Sequence, residues 1–400
     1  MRNGTDIAIV NGARTPMGRY CGKLRDFTAQ ELGAVAAVEA MKRSGVEPGE
    51  IDHCVMGNAQ QTSGDAIYGA RHVALKAGVP IEVPALTVNR LCGSGMQSVV
   101  SAAQMIQLGE AGTVLAGGME SMSQAPHVIR GMRWGVGFGE GKLEDSLMVA
   151  LLDSYCGMYM ANTAELYAEQ QGISREMQDE FALRSQKCAD EAYRAGRLQE
   201  ELTPVPLRNR RGESTGEMFT EDDHRRPETT MESLRKLKPA FGKNGTVTAG
   251  NASGIVDGGA AVVVMPLDAA EKRGLKPMAR IVAWGIAGVD PKIMGSGPVP
   301  ATRIALKKAG LTLDDMDVVE LNEAFAAQCL AVEKELGLDR SRLNVNGGAI
   351  ALGHPLGATG TRLLLTLMHE LRRRKARYGL STACIGGGQG IAVILENLQR

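Results

Sequence analysis

Strand-like and helix-like segments alternate along this chain, and the alternation runs twice. Through residue 121, strands are expected at Asp6–Asn11, His53–Gly57, Ala85–Asn89 and Thr113–Ala116. Helices fit Ala29–Ser44, Ile67–Ala77 and Gly95–Leu108; in the last, Met96, Val99, Val100, Met105 and Ile106 approximate the helical period. The final third repeats the plan. Strands fall near Arg280–Trp284, Met316–Glu320, Leu343–Asn346, Gly379–Cys384 and Ile391–Leu395, with helices at Pro300–Ala309, Glu323–Glu335 and Gly357–Arg374. Such alternation leaves few architectures: parallel βαβ units whose sheets carry helices on both faces. Two comparable runs imply an internally duplicated α/β fold. A chain of 400 residues, 44% of them hydrophobic, can bury the core such a fold needs.

Between the two runs, residues 122–254 have a different character. They hold a Gly/Met/Trp-rich stretch at 130–142, a helical segment around Ser174–Gly196 and a charged stretch from Arg208 to Arg226. Long irregular excursions of this kind are usually functional loops or interaction surfaces. After them Gly258–Met265 reads as a buried strand returning to the first sheet. The expected domains are therefore 1–121 completed by 255–277, a loop domain at 122–254, and 278–400.

Charge excludes one class of partner. Lysine plus arginine and aspartate plus glutamate each total 45, so the chain lacks the basic excess that a nucleic-acid backbone selects. Seven cysteines without a CxxC pair suggest neither a disulfide framework nor a zinc ribbon. No apolar run approaches membrane-spanning length, and the N-terminus lacks a signal-peptide pattern, so the expected compartment is a reducing cytoplasm.

Two glycine-rich segments carry the chemistry. NRLCGSGMQ sets Cys92 after an apolar strand and before a helix, where unpaired amides and the helix dipole favour thiolate; a small buried hydrophobe is the alternative. NGGAIALGHPLGATG holds His354 in a Gly-His-Pro turn, which proline keeps out of helix. Cys384 opens into GGGQG, whose amides can face an oxyanion or simply form a tight strand-to-strand turn. Asn322, in LNEAFAAQ, follows a strand and suits either an active-site crevice or a helix N-cap. Two thiols and an imidazole in such backbone fit carbon–carbon bond chemistry on thioesters.

NRLCGSG, GTVTAGNASG, NEAFAAQ, GHPLGATG and CIGGGQG, in that order over essentially the whole chain, resemble the thiolase family. The similarity is greatest to biosynthetic acetyl-CoA acetyltransferases and bacterial 3-ketoacyl-CoA thiolases. The resemblance implies a duplicated, five-layered α-β-α-β-α fold with an inserted loop domain. It implies CoA-dependent cleavage of 3-ketoacyl-CoA and the reverse Claisen condensation, with acyl-CoA as substrate and no permanently bound cofactor or metal. Carried over position by position, Cys92 becomes the acyl-accepting nucleophile and His354 its activating base. Cys384 becomes the group that moves the α-proton, and Asn322 the residue that positions a water. The amides of Cys92 and Gly386 become an oxyanion site. Arg226 would meet the CoA nucleotide; Leu237, Ala240, Phe241, Ala249 and Ser253 would line the pantetheine tunnel, with Met294 and Phe325 near the acyl end. The resemblance also implies a homotetramer, its interdimer loop at Ser123–Gly141 bearing Trp134 and Phe138.

One segment departs from the family. YMANTAE carries Tyr159 and Ala161 where thiolases usually have histidine and glycine. An apolar wall of Met148, Met158 and Met160 would admit acyl groups longer than acetyl. Three competing readings remain. A β-ketoacyl synthase usually needs a second histidine where this chain has Cys384 or Asn322. A non-catalytic CoA- or lipid-binding relative would not need the reactive thiols. A zinc site built from Cys92, His354 and Cys384 lacks metal-ligand spacing.

Overall fold

The computed structural model describes residues 5–209, 211–242 and 244–400. Its N-terminal half comprises β1 (Ile7–Arg14), α1 (Ala29–Ser44), β2 (His53–Gly57), α2 (Gly69–Lys76), β3 (Ala85–Val88), α3 (Ser94–Leu108) and β4 (Val114–Ser121). The intervening segment contributes α4 (Met160–Gln170) and α5 (Arg175–Arg194), with short ribbons and turns around them, before the chain returns as β5 (Val256–Pro266). The C-terminal half follows as β6 (Ala279–Gly288), α6 (Pro298–Ala309), β7 (Val318–Leu321), α7 (Ala326–Leu336), α8 (Leu356–Arg374), β8 (Tyr378–Ile385) and β9 (Gln389–Asn397).

Strand order makes the duplication explicit. The first half runs β3-β2-β4-β5-β1 and the second runs β7-β8-β9-β6. In both, the early pairs are parallel and the last two are antiparallel. The expected strand at Leu343–Asn346, which would be the counterpart of β3, reduces to a single parallel bridge between Val319 and Leu343. Asn344 explains why: its backbone is left-handed at φ 45°. Its side chain also takes over the pairing, accepting from the Leu321 N–H and donating to the Leu321 carbonyl. The two halves meet edge to edge, where Ile7–Ile9 pair with Ala279–Ile281.

Helices α3 and α8 pack against strands of both halves, while α1 and α2 cover one outer face and α6 and α7 the other. That is the five-layered arrangement. Strands between two such layers must be apolar on both faces. Along β5, Ala260, Val262 and Val264 enter the central core while Ala261, Val263 and Met265 enter the outer one. Fully burying a valine- or isoleucine-sized side chain contributes about 1.5–3 kcal/mol. Local signals agree with the packing. Thr28 and Glu31 form a capping box at the start of α1, and Gly45 closes it at φ 62°. The central helices cross with no room for a side chain, since a Cβ on Gly360 would strike the Met96 backbone nitrogen.

Candidate active site

Cys92 lies in a single 3-10 turn, Leu91–Gly93, immediately ahead of α3. Leu91 holds a left-handed φ of 46°, an uncommon conformation for a leucine and one that clusters at functional sites. Asn89 fixes this bend by accepting from the Leu91 N–H at 2.9 Å. Two backbone N–H groups reach the Cys92 sulfur: its own and that of Gly386. The thiolate expected from the helix start is nevertheless not the resting form. Burial raises the thiol to about 11, which the Gly386 and Cys92 amides only partly offset.

Cys384 is buried near the end of β8. The chain then turns through Gly386–Gly388, with φ of 76° at Gly387 and 79° at Gly388, and Ile385 pairs with Gln389. The glycine run is thus a tight hairpin turn, one of the two readings the sequence allowed, and its first residue approaches the Cys92 turn at Leu91. Burial, then the neighbouring Cys92, push the Cys384 thiol well above the usual range. Ala324, Met294, Met160 and Phe325 pack around it, so the expected acyl-end residues Met294 and Phe325 do gather there.

His354 is 5% exposed. Its Nδ1 lies 2.6 Å from Thr359 Oγ1, and that hydroxyl donates to the Pro355 carbonyl at 3.0 Å. The hydroxyl proton is thus committed, so Nδ1 carries the hydrogen and Nε2 keeps its lone pair. Asn322 Nδ2 faces Nε2 at 3.3 Å. Burial, then the Arg362 charge, lower the imidazole to about 3, leaving a neutral ring. Asn322 is no helix N-cap: α7 begins at Ala326, after Phe325. The Asn322 N–H donates to the Thr382 carbonyl two residues before Cys384, and the Cys329 thiol donates to the Asn322 carbonyl at 3.5 Å.

A cleft of about 650 Å³ is lined by Arg226, Ala240, Phe241, Ala249 and Ser253, together with Tyr20 and His224. A neighbouring lobe of about 240 Å³ adds Leu237 and shares His224, Arg226 and Ala249. Arg226, Leu237, Ala240, Phe241, Ala249 and Ser253 therefore border two adjoining cavities. Their rim is bonded to the turns that carry His354 and Ala324, because the His354 N–H donates to the Gly254 carbonyl and the Ser253 N–H to the Ala324 carbonyl. Of the three methionines expected to form an acyl wall, Met160 alone packs in the cluster around Cys384. Met148 is exposed on the short helix Ser146–Ala150. Tyr159 stacks obliquely on Phe241 at 5.4 Å between ring centroids, and Ala161 is buried.

Sequence reasoning missed Thr359, Glu120 and His224. Glu120 had a visible signal, a lone carboxylate ending the otherwise apolar strand β4, whereas the other two acquire meaning only through their neighbours. Among the described residues no group of three His, Cys, Asp or Glu side chains is placed to hold a metal ion, and no helix is long and apolar enough to cross a membrane.

Two neighbouring thiols, and a neutral imidazole on a turn bonded to the rim of a deep cleft, in a duplicated α/β fold, fit an acyl-transfer enzyme of the thioester class. Family comparison makes that class specific. Residues 7–268 match the thiolase N-terminal domain and residues 275–397 the thiolase C-terminal domain. The chain is 53% identical over 392 residues to the mitochondrial 3-ketoacyl-CoA thiolase of Homo sapiens, covering 98% of each. It is 50% identical over 394 residues to the beta-ketothiolase BktB of Cupriavidus necator, covering 98% of this chain and 99% of that one. Crystal structures of the human mitochondrial enzyme in complex with CoA (52% identity, 98% of each chain) and of Bacillus anthracis acetyl-CoA acetyltransferase (45%, 100% of each) superpose with TM-scores of 0.95 and 0.96. The chain belongs to the thiolase family. It is an acyltransferase that cleaves 3-ketoacyl-CoA with CoA and runs the reverse condensation, CoA being a substrate rather than a resident cofactor.

Proposed function

We propose that this thiolase works by ping-pong acyl transfer through Cys92. His354 Nε2 takes the Cys92 proton as the sulfur attacks the acyl carbonyl. The oxyanion is held by the Cys92 and Gly386 amides, and CoA leaves with the proton. In the condensing direction Cys384 takes the α-proton of the second thioester. His354, neutral again once CoA has left, first takes the Cys384 thiol proton, and the imidazolium so formed holds the enolate oxygen together with a water positioned by Asn322. An α-proton is far less acidic than a thiol, so this removal needs stabilisation of the enolate at once. The observation that carries the proposal is the approach of the Gly386 turn to the Cys92 turn, close enough that a Cβ on Gly386 would lie 3.2 Å from the Leu91 side chain, which brings together turns of the two halves. The test is CoA-dependent cleavage of acetoacetyl-CoA and 3-ketohexanoyl-CoA by wild type and Cys92→Ala. Cleavage persisting in the variant would overturn the assignment.

Arg226, Leu237, Ala240, Phe241, Ala249 and Ser253 are proposed to hold CoA, with Met294 and Phe325 bordering the acyl group. The flexible Met160 beside Cys384 supports acceptance of acyl groups longer than acetyl. Strong preference for acetoacetyl-CoA over 3-ketohexanoyl-CoA would contradict that. A homotetramer is proposed through residues 123–141, supported by the exposed Trp134 and Phe138; light scattering giving a monomer would refute it. A cytoplasmic site of action is supported by the unpaired state of all seven cysteines.

A further inference from the structure

Glu120, at the end of β4, is completely buried and lies outside the reaction just described. Its carboxylate is saturated by four donors. Oε1 accepts from Asn58 Nδ2 at 2.8 Å and from the Gln60 N–H at 3.0 Å. Oε2 accepts from the Ala59 N–H at 3.0 Å and from the Gly357 N–H at 2.8 Å. Gly357 lies in the first turn of α8, three residues beyond His354, where an anion is favoured. Ala59 leads the other way. Its carbonyl accepts from Asn89 Nδ2 at 3.1 Å, and Asn89 in turn fixes the Leu91 N–H beside Cys92. One carboxylate thus ties the histidine turn of the C-terminal half to the cysteine turn of the N-terminal half.

We propose that Glu120 is a positioning residue that clamps the His354 turn against the Cys92 turn through its hydrogen bonds to the Gly357 and Ala59 amides. This rests on Cys92 and His354 being the reacting pair. The groups whose charges bear on the clamp are Asp257 from β5 and the Cys92 thiol itself. Burial is the main cause that raises the Cys92 thiol and the Glu120 charge adds to it; burial, partly offset by the Ala59, Gln60 and Gly357 amides, leaves the Glu120 carboxyl at about 7.

The experiment uses Glu120→Gln and Glu120→Asp in the full-length enzyme. Two quantities are read: thiolysis kinetics, and the pH dependence of alkylation at the Cys92 peptide by mass spectrometry. Glutamine removes the charge and turns an amide toward N–H donors. We expect kcat to fall about tenfold or more, because small misplacements of reacting groups are costly, with KM for CoA within about twofold. The alkylation midpoint should move down by about half to one pH unit. Aspartate keeps the charge but is too short to span all four donors, so kcat should fall while the midpoint stays. Wild-type kcat in either variant overturns the clamp. Equal midpoint shifts in both variants overturn the charge effect and leave only loosening. Should the glutamine variant fail to fold, the aspartate variant decides the clamp alone. Thiolysis surviving in Cys92→Ala would instead refute the reacting pair itself.

Discussion

Thr359→Val tests the histidine assignment most directly. Valine matches threonine in shape but has no hydroxyl, so the His354 Nδ1–H loses its partner inside a buried site, while the Pro355 carbonyl keeps the Ala358 and Thr359 N–H groups. Leaving one buried polar group unpaired costs about 1–3 kcal/mol. Rotation or tautomer exchange cannot rescue the ring cheaply, because a proton on Nε2 would face the donating Nδ2 of Asn322. If one such penalty falls on the transition state, where the imidazole must become charged, kcat drops about 5- to 150-fold at roughly 1.4 kcal/mol per decade. Whatever the folded ground state bears instead appears as lost stability. Thiolysis followed by consumption of the ketoacyl thioester, beside thermal melting, measures both, and Thr359→Ser should restore most of the rate. A valine variant with wild-type kcat and melting temperature would refute the proton placement.

Other consequences are equally concrete. Burial lifts Cys92 to about 11, so its thiolate fraction, and with it alkylation of the free enzyme by iodoacetamide, should rise through pH 9; a plateau below pH 8 would contradict a protonated resting thiol. Cys384→Ala should still release CoA stoichiometrically as Cys92 is acylated, yet lose solvent exchange of the acetyl-CoA methyl protons; retained exchange would take Cys384 out of proton transfer. Gly118→Ala would drive a methyl into the Gly357 carbonyl at the head of α8. We expect destabilisation of about 3 kcal/mol or more and loss of activity, and an unchanged melting temperature would show that the crossing can yield.

What the sequence disclosed followed the range of the forces involved. Helix α1 was legible to the residue because its ends are set locally, by Thr28, Glu31 and Gly45. The segment Leu343–Asn346 alternates apolar and polar residues like a strand, but the left-handed Asn344 bonds to Leu321 through its side chain instead. Cys92 lies at the helix start, as its sequence context indicates, and burial works against the thiolate that start favours. The helix start is visible in sequence, whereas the surroundings that bury the sulfur come from remote segments, among them Gly386 and Leu356. The meeting of Asn322 with His354 was reachable only by resemblance, since no local pattern ties residues on separate turns.

The chain order of the N-terminal sheet carries a consequence for synthesis. Strand β1 is made first, but its partners β5 and β6 begin at Val256 and Ala279. At about 5–20 residues per second the ribosome takes roughly 12–50 seconds to reach β5. Throughout that interval an eight-residue strand, seven of its residues buried in the finished fold, lacks both neighbouring strands, and only Arg14 at its end finds a backbone partner earlier, at Glu201–Thr203. The nascent protein therefore presents a sticky edge for as long as its own middle is being translated, and its yield in a cell depends on how that edge is shielded until β5 emerges.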